Sequence, residues 1–128
     1  MGVSIMTLDT LDVFAGQALS TKTSNSNGSA KDLVDYEGDI LLILNSTAGT
    51  GTDTPTLTVK VKDNDESTGS YTDITGGQFE AVTDTASVQK LVLNSNEIKR
   101  FIKINSIISG TNPSFTFSVD VVASKKYG

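Results

Sequence analysis

The chain has no cysteine, no histidine and no tryptophan, and its only arginine is Arg100. These absences remove disulfide frameworks, zinc or haem ligation through Cys or His, and nucleophile systems of the Ser-His-Asp or Cys-His kind. Long hydrophobic runs are also missing. The longest is Ile40 to Leu44, far short of the roughly 20 residues a membrane helix needs, so no membrane partner is expected. The opening MGVSIMTLDTLDVF lacks a basic region and a continuous apolar stretch, so no secretory signal is expected. Met6 stands where a myristoylation signal needs Ser or Thr.

What is present is acidic and rich in β-branched residues. Ten Lys+Arg against fifteen Asp+Glu give a formal charge of −5. Such a balance repels phosphate backbones, and one arginine leaves little bidentate base or phosphate recognition, so no nucleic-acid partner is expected. A local basic spot survives at Lys125 and Lys126. At 128 residues, the chain is long enough to bury one core without disulfide or metal staples. No cofactor is expected.

Val, Ile and Thr dominate the segments between turns, and their branched side chains suit a pleated surface better than a helix. Over Thr56 to Lys62, Leu57, Val59 and Val61 oppose Thr58, Lys60 and Lys62. Over Lys99 to Ile108, Arg100, Ile102, Ile104, Ser106 and Ile108 share one face. Over Ser114 to Ser124, Phe115, Phe117, Val119, Val121 and Ala123 share another. Period two over such lengths predicts strands with one buried side. Ile40 to Leu44 has no alternation and reads as a central strand covered on both faces.

Shorter strands are predicted at Tyr71 to Ile74, Phe79 to Val82 and Ser87 to Leu93. The intervening Thr75-Gly76-Gly77-Gln78 reads as a hairpin turn. Gly110-Thr111-Asn112-Pro113 reads as a turn between two long strands, and Asn94 to Ile98 as one helical turn capped by Asn94 and Glu97. The fold class expected is all-β, a single antiparallel β-sandwich or jelly-roll-like domain with an extended N-terminal segment.

Residues 1–30 read two ways. Either a first strand near Val13 to Ser20 is joined to the rest by a long loop, or an extended arm docks apolar pegs on a neighbouring subunit. The polar stretch Thr21 to Ala30 reads as a flexible link. The division expected is an N-terminal arm and polar linker over 1–30 and a β-sandwich domain over 31–128. The candidate interface residues are Ile5, Leu8, Leu11, Val13 and Phe14, with Lys125, Lys126 and Tyr127 at the close.

Chemical motifs are sparse. Asp63-Asn64-Asp65-Glu66-Ser67 spaces acids like a calcium loop, but Thr68 and Ile74 stand where an EF-hand needs Gly and Glu. It reads as a solvated hairpin tip. Ser87-Val88-Gln89-Lys90 matches S-x-x-K, yet that pattern needs a helix and a Lys-Thr-Gly partner, and neither is here. Ala48-Gly49-Thr50-Gly51-Thr52 has no Gly-Lys-[Ser/Thr] ending and is no P-loop. No catalytic or metal-binding residue is assigned, and no enzyme activity is expected. Tyr36, Tyr71 and Tyr127 are the candidate aromatic platforms for a carbohydrate-binding or tail-associated adhesin module. A tail-tube subunit is the other alternative.

Tyr71-Thr72-Asp73-Ile74-Thr75-Gly76-Gly77-Gln78-Phe79, then Ser87 to Leu93 and Lys99 to Ile104, form one pattern. Pro113-Ser114-Phe115-Thr116-Phe117-Ser118-Val119 through Lys125-Lys126-Tyr127-Gly128 forms another. Together they resemble the head decoration, or cement, proteins of tailed bacteriophages over residues 30 to 128. The resemblance implies a non-enzymatic β-sandwich-like virion protein on the outer capsid surface, made in the host cytoplasm and stabilising the head. Its partners would be the major capsid protein and further copies of itself, usually as a homotrimer.

Overall fold

The computed structural model describes residues 11–126. Eight strands make up almost all of it: β1 (Leu11–Lys22), β2 (Ser26–Asn27), β3 (Lys31–Asp32), β4 (Tyr36–Ser46), β5 (Thr50–Asn64), β6 (Thr72–Gln78), β7 (Ser87–Asn94) and β8 (Phe101–Lys125). A single 3-10 turn, Ser95–Glu97, precedes β8, and the Asn94 side chain accepts from the Asn96 N–H at 2.8 Å, which is the Asn94 half of the expected cap.

The protein is an all-β, antiparallel, jelly-roll-like sandwich. In sheet I, β1 pairs with the C-terminal half of β8, which pairs with β4, which pairs with β7. In sheet II, β2 and β3 pair with the N-terminal half of β8, which pairs with β5, which pairs with β6. The inward faces carry the alternating residues. Leu57, Val59, Val61, Ile102 and Ile104 of sheet II meet Ile40, Leu42, Leu44, Phe117, Val119 and Val121 of sheet I, each at most 1% exposed. Burying such side chains contributes about 1.5–3 kcal/mol each against exposure, and this drives the two sheets together.

Gly110 to Pro113 does not reverse the chain. β8 runs on through it for 25 residues and passes from sheet II into sheet I. Gly110 at φ 117° and Asn112 at φ 49° supply left-handed backbone, and the register with β5 slips between Thr50 and Thr56. Bulges and bends of this kind carry strands around the corners of sandwiches. The Gly76-Gly77 hairpin is likewise replaced: β6 continues through both glycines against β5, with Lys60 opposite Gln78 and Lys62 opposite Asp73. The extra β6 residues form a bulge, and Gly76 takes φ 77°. Beyond it the chain stays beside β5, where Leu57 and Val82 exchange N–H to O bonds of 2.8 and 2.9 Å.

Of the described residues expected as arm and linker, 11–22 form β1 and 26–27 form β2, both paired with β8. β1 pairs along β8 from Leu11 opposite Ser124 to Lys22 opposite Phe115, which is the strand alternative of the two readings. The polar stretch is tied to β8 instead of swinging free. The Ile108 N–H donates to Asn25 Oδ1 at 2.8 Å, the Gly28 N–H to the Ile104 carbonyl at 2.8 Å, and Asn105 Nδ2 to Asn27 Oδ1 at 2.8 Å. Side-chain amides substitute here for hydrophobic anchoring.

Candidate interaction surfaces

With the alternating residues buried between the sheets, the surface chemistry sits on the two outer faces, which are unlike. On sheet II, β5 turns Thr58, Lys60 and Lys62 outward, and β8 turns Lys103 and Asn105 outward. Register places Lys62 directly opposite Lys103 and Lys60 opposite Asn105. Like charges in facing positions repel, and the neighbours moderate this. Asp73 lies 3.1 Å from Lys60 Nζ and 3.6 Å from Lys62 Nζ. The hydrogen bond from Lys60 holds the Asp73 carboxyl below the usual range against a smaller opposing effect of desolvation. Lys103 Nζ rests 4.6 Å above the Tyr71 ring, a cation–π contact. The result is a lysine stripe on an otherwise acidic protein.

On sheet I, register aligns Val13, Val122, Leu41 and Val92 in one row across all four strands. The next row is Ala15, Asp120, Ile43 and Lys90. Val13 is 63%, Val92 58% and Val88 71% exposed. Among the described residues these two rows are mostly apolar, with Val13 and Val92 exposed and Leu41, Ile43 and Val122 half-buried.

Ile40, Leu42 and Leu44 are fully buried, while Leu41 and Ile43 belong to the outer rows. The run 40–44, expected to be covered on both faces, is fully buried on one and half-buried on the other. Its lack of alternation is the sequence signal for the outer apolar face. The lysine stripe leaves its own trace in the alternating Lys60 and Lys62.

The candidate interface residues occupy different settings. Leu11, Val13 and Phe14 lie on β1; Phe14 stacks on Tyr36 with ring centroids 5.6 Å apart, so it faces inward, whereas Val13 faces out. Lys125 ends β8 opposite Tyr36, and the Lys126 N–H donates to the Asp35 carbonyl at 2.8 Å; both side chains are exposed. Ile5, Leu8 and Tyr127 lie outside the described residues. Tyr36 is committed internally, its hydroxyl donating to the Asp12 carboxylate. Burial first, then that bond and the charges of Asp12 and Asp35, push its hydroxyl up to about 12. Tyr71 donates to the Ser67 carbonyl at 2.8 Å beneath Lys103. Neither ring is a free platform.

The acidic tip is closed on itself. Asp63 is 8% exposed and accepts from the Lys99 N–H at 3.0 Å and from Thr72 Oγ1 at 3.3 Å, while Asn64 Nδ2 donates to the Glu66 and Thr68 carbonyls. Asp63 also lines a cleft of about 560 Å³ with Asp39, Asp73 and Glu97. Asp39 accepts from Asn94 Nδ2 at 3.3 Å, and Asp73 is held by lysines. Among the described residues, no group of three or more His, Cys, Asp or Glu is placed to hold a metal ion. Ser87 and Lys90 sit on a strand, opposite Ser46 and Ile43 respectively. An odd spacing on a strand sends them to opposite faces, so the S-x-x-K geometry does not form.

The architecture thus defines a member of the antiparallel jelly-roll-like sandwiches, with two broad and chemically distinct outer faces. Among solved structures the chain is similar to the SPBc2 prophage-derived protein YomS, with a TM-score of 0.53 and 16% identity over 96% of this chain and 100% of that one. It is also similar to a chain of infectious bursal disease virus, Gx strain (TM-score 0.56, 13% identity, 92% of this chain). A third likeness is to the VP2 subviral particle of that virus (TM-score 0.51, 12% identity, 90% of this chain). The chain spans 32% of the length of each of these two viral chains. These likenesses concern the fold. No family model matches the sequence, and no curated protein matches it.

Proposed function

We propose that this protein is a non-enzymatic structural component of a tailed-phage virion that binds the outside of the capsid and stabilises it. The observation that carries the reading is the pair of outer sheet surfaces on a sandwich joined by one shared strand, β8. Such a body adheres by area and needs no reactive side chain. Likeness over the whole length of a prophage-derived protein, and to part of chains from virus particles, supports it. So does the resemblance of residues 30 to 128 to head decoration proteins.

In this reading the lysine stripe of sheet II meets an acidic patch of the major capsid protein. An acidic partner would relieve the facing of Lys62 and Lys103 and draw on charge complementarity for orientation. Many symmetry-related copies would then brace the shell through multivalency, with modest contacts each.

The test is to add the purified full chain to heads that lack it, sediment them, and image the particles by electron microscopy. Density on the outer surface, and salt-sensitive loss of binding on combining Lys62→Glu with Lys103→Glu, is the expected result. Heads that stay bare at low salt overturn the reading. A glycan array signal that disappears on Tyr71→Ala would favour the adhesin alternative instead.

A further inference from the structure

We propose that a second copy of this chain covers the outer face of sheet I, packing that same face against itself about a two-fold axis that runs along β4. The proposal stands independently of the capsid reading, since it uses the opposite face of the sandwich.

Three observations carry it. First, β4 is apolar on both sides from Ile40 to Leu44, yet the chain buries only Ile40, Leu42 and Leu44. Leu41 and Ile43 lie in outer rows, flanked by Val13, Val92 and Val122. Second, the only charged residues in the two central rows are Asp120 and Lys90. They stand in the row of Ile43, one strand to either side of it. Neither forms an ion pair with another described residue. Third, the arrangement is self-complementary. Rotation about an axis along β4 lays β8 of one copy over β7 of the other. Asp120 then faces the partner's Lys90, and Lys90 the partner's Asp120. Val122 meets the partner's Val92, while Leu41 and Ile43 stack near the axis on their own copies, as an isologous contact requires.

Sheets packed face to face lie ~10 Å apart and cross at about −30°. Asp120 and Lys90 sit one strand spacing, ~4.8 Å, from the axis, so that crossing displaces them by only about 2.5 Å. A lysine side chain spans this. With the axis on β4, three strands of each copy overlap, β8, β4 and β7, while β1 overhangs the partner's edge; over four rows this makes a face of roughly 400 Å², or about 800 Å² for the pair, below the size of a standard specific interface. The pair therefore forms and dissociates with concentration.

Light scattering and sedimentation of the full chain over a wide concentration range test this. The expected mass rises from 13.5 kDa to twice that value. Asp120→Lys places like charges in both contacts and weakens association by about tenfold or more, as does Lys90→Asp. Combining the two restores it to within about threefold of the parent, because the charges are exchanged and not lost. Melting curves confirm that each exposed-site variant remains folded. A mass that stays monomeric, a trimer, pairing indifferent to the charge exchange, or pairing seen only after residues 1–10 are removed overturns the proposal.

Discussion

The Arg100 guanidinium meets the Asp32 carboxylate through two parallel hydrogen bonds, Nε to Oδ1 and Nη2 to Oδ2, each 2.8 Å. This fork ties short β3 to the entrance of β8 and uses the only arginine of the chain. Asp32 Oδ1 also accepts from the Val34 N–H at 3.0 Å. The Arg100 bond, followed by the Val34 bond and the nearby positive charge, holds the Asp32 carboxyl below its usual range despite some desolvation.

A lowered native pKa sets the sign of its pH dependence. The ionised carboxylate is favoured in the folded state, so its contribution is present above the unfolded value of ~3.9 and fades as pH falls through the lower native value. Asp32→Asn should lower the urea midpoint slightly at pH 7, and the difference from the parent should close under strongly acidic conditions. The pair is exposed, so added salt should shrink the effect. A gap that widens on acidification contradicts this account.

Tyr36 behaves in the opposite sense. Its hydroxyl is pushed up to about 12, chiefly by burial. The neutral phenol is thus favoured in the folded protein, a contribution complete below the ordinary ~10 and lost as pH climbs through about 12. An ultraviolet absorbance titration should show a late phenolate step that Tyr36→Phe removes. If that variant keeps the whole late step, the step belongs to another tyrosine, such as Tyr71, whose hydroxyl burial also raises, and Tyr36 does not titrate late.

A methyl group on Gly49 would lie 2.3 Å from Phe115 Cζ and 2.9 Å from the Thr83 carbonyl oxygen. Phe115 is 1% exposed and cannot retreat into solvent. Gly49→Ala should therefore destabilise by about 1–3 kcal/mol through overpacking. Joined to Phe115→Leu, its cost should fall well below the sum of the single effects, measured by urea unfolding in a double-mutant cycle. Additive costs would place the strain elsewhere.

Ser26 and Ser106 face one another across β2 and β8, and each hydroxyl is buried without a hydrogen-bond partner. A buried polar group left unpaired costs free energy that a methyl group does not. Ser106→Ala should leave stability unchanged or raise it by up to about 1 kcal/mol, read from the urea midpoint. Clear destabilisation would mean that the two hydroxyls are bridged by an ordered water.

Much of the interior is legible in the alternation itself. Spacing alone assigns Phe115, Phe117, Val119, Val121 and Ala123 to one face, and all are at most 1% exposed. Period two works here because each strand has one wet side, so local chemistry mirrors burial. Ser106 shows the limit of that signal: spacing puts it on the inward face, but nothing local indicates that its hydroxyl is orphaned.

The glycine-marked segments are legible as places of unusual backbone and not as directions of travel. Gly110 and Gly76 adopt positive φ, as a turn needs, yet one serves a corner within β8 and the other a bulge within β6. A left-handed residue has similar local energetics in a turn, a bend or a bulge. The onward path of the chain is decided by the strand it pairs with next.

The amino-acid order by itself determined the strand class, the inward side chains and the lack of Cys- or His-based chemistry, because all three depend on residue type and near-neighbour spacing. The tertiary structure alone decided that β8 serves both sheets, that Lys62 faces Lys103, and that Val13, Val122, Leu41 and Val92 line up across one outer face. Those relations join residues far apart in the chain, through hydrogen-bond register, and register is a property of paired strands that no single segment carries.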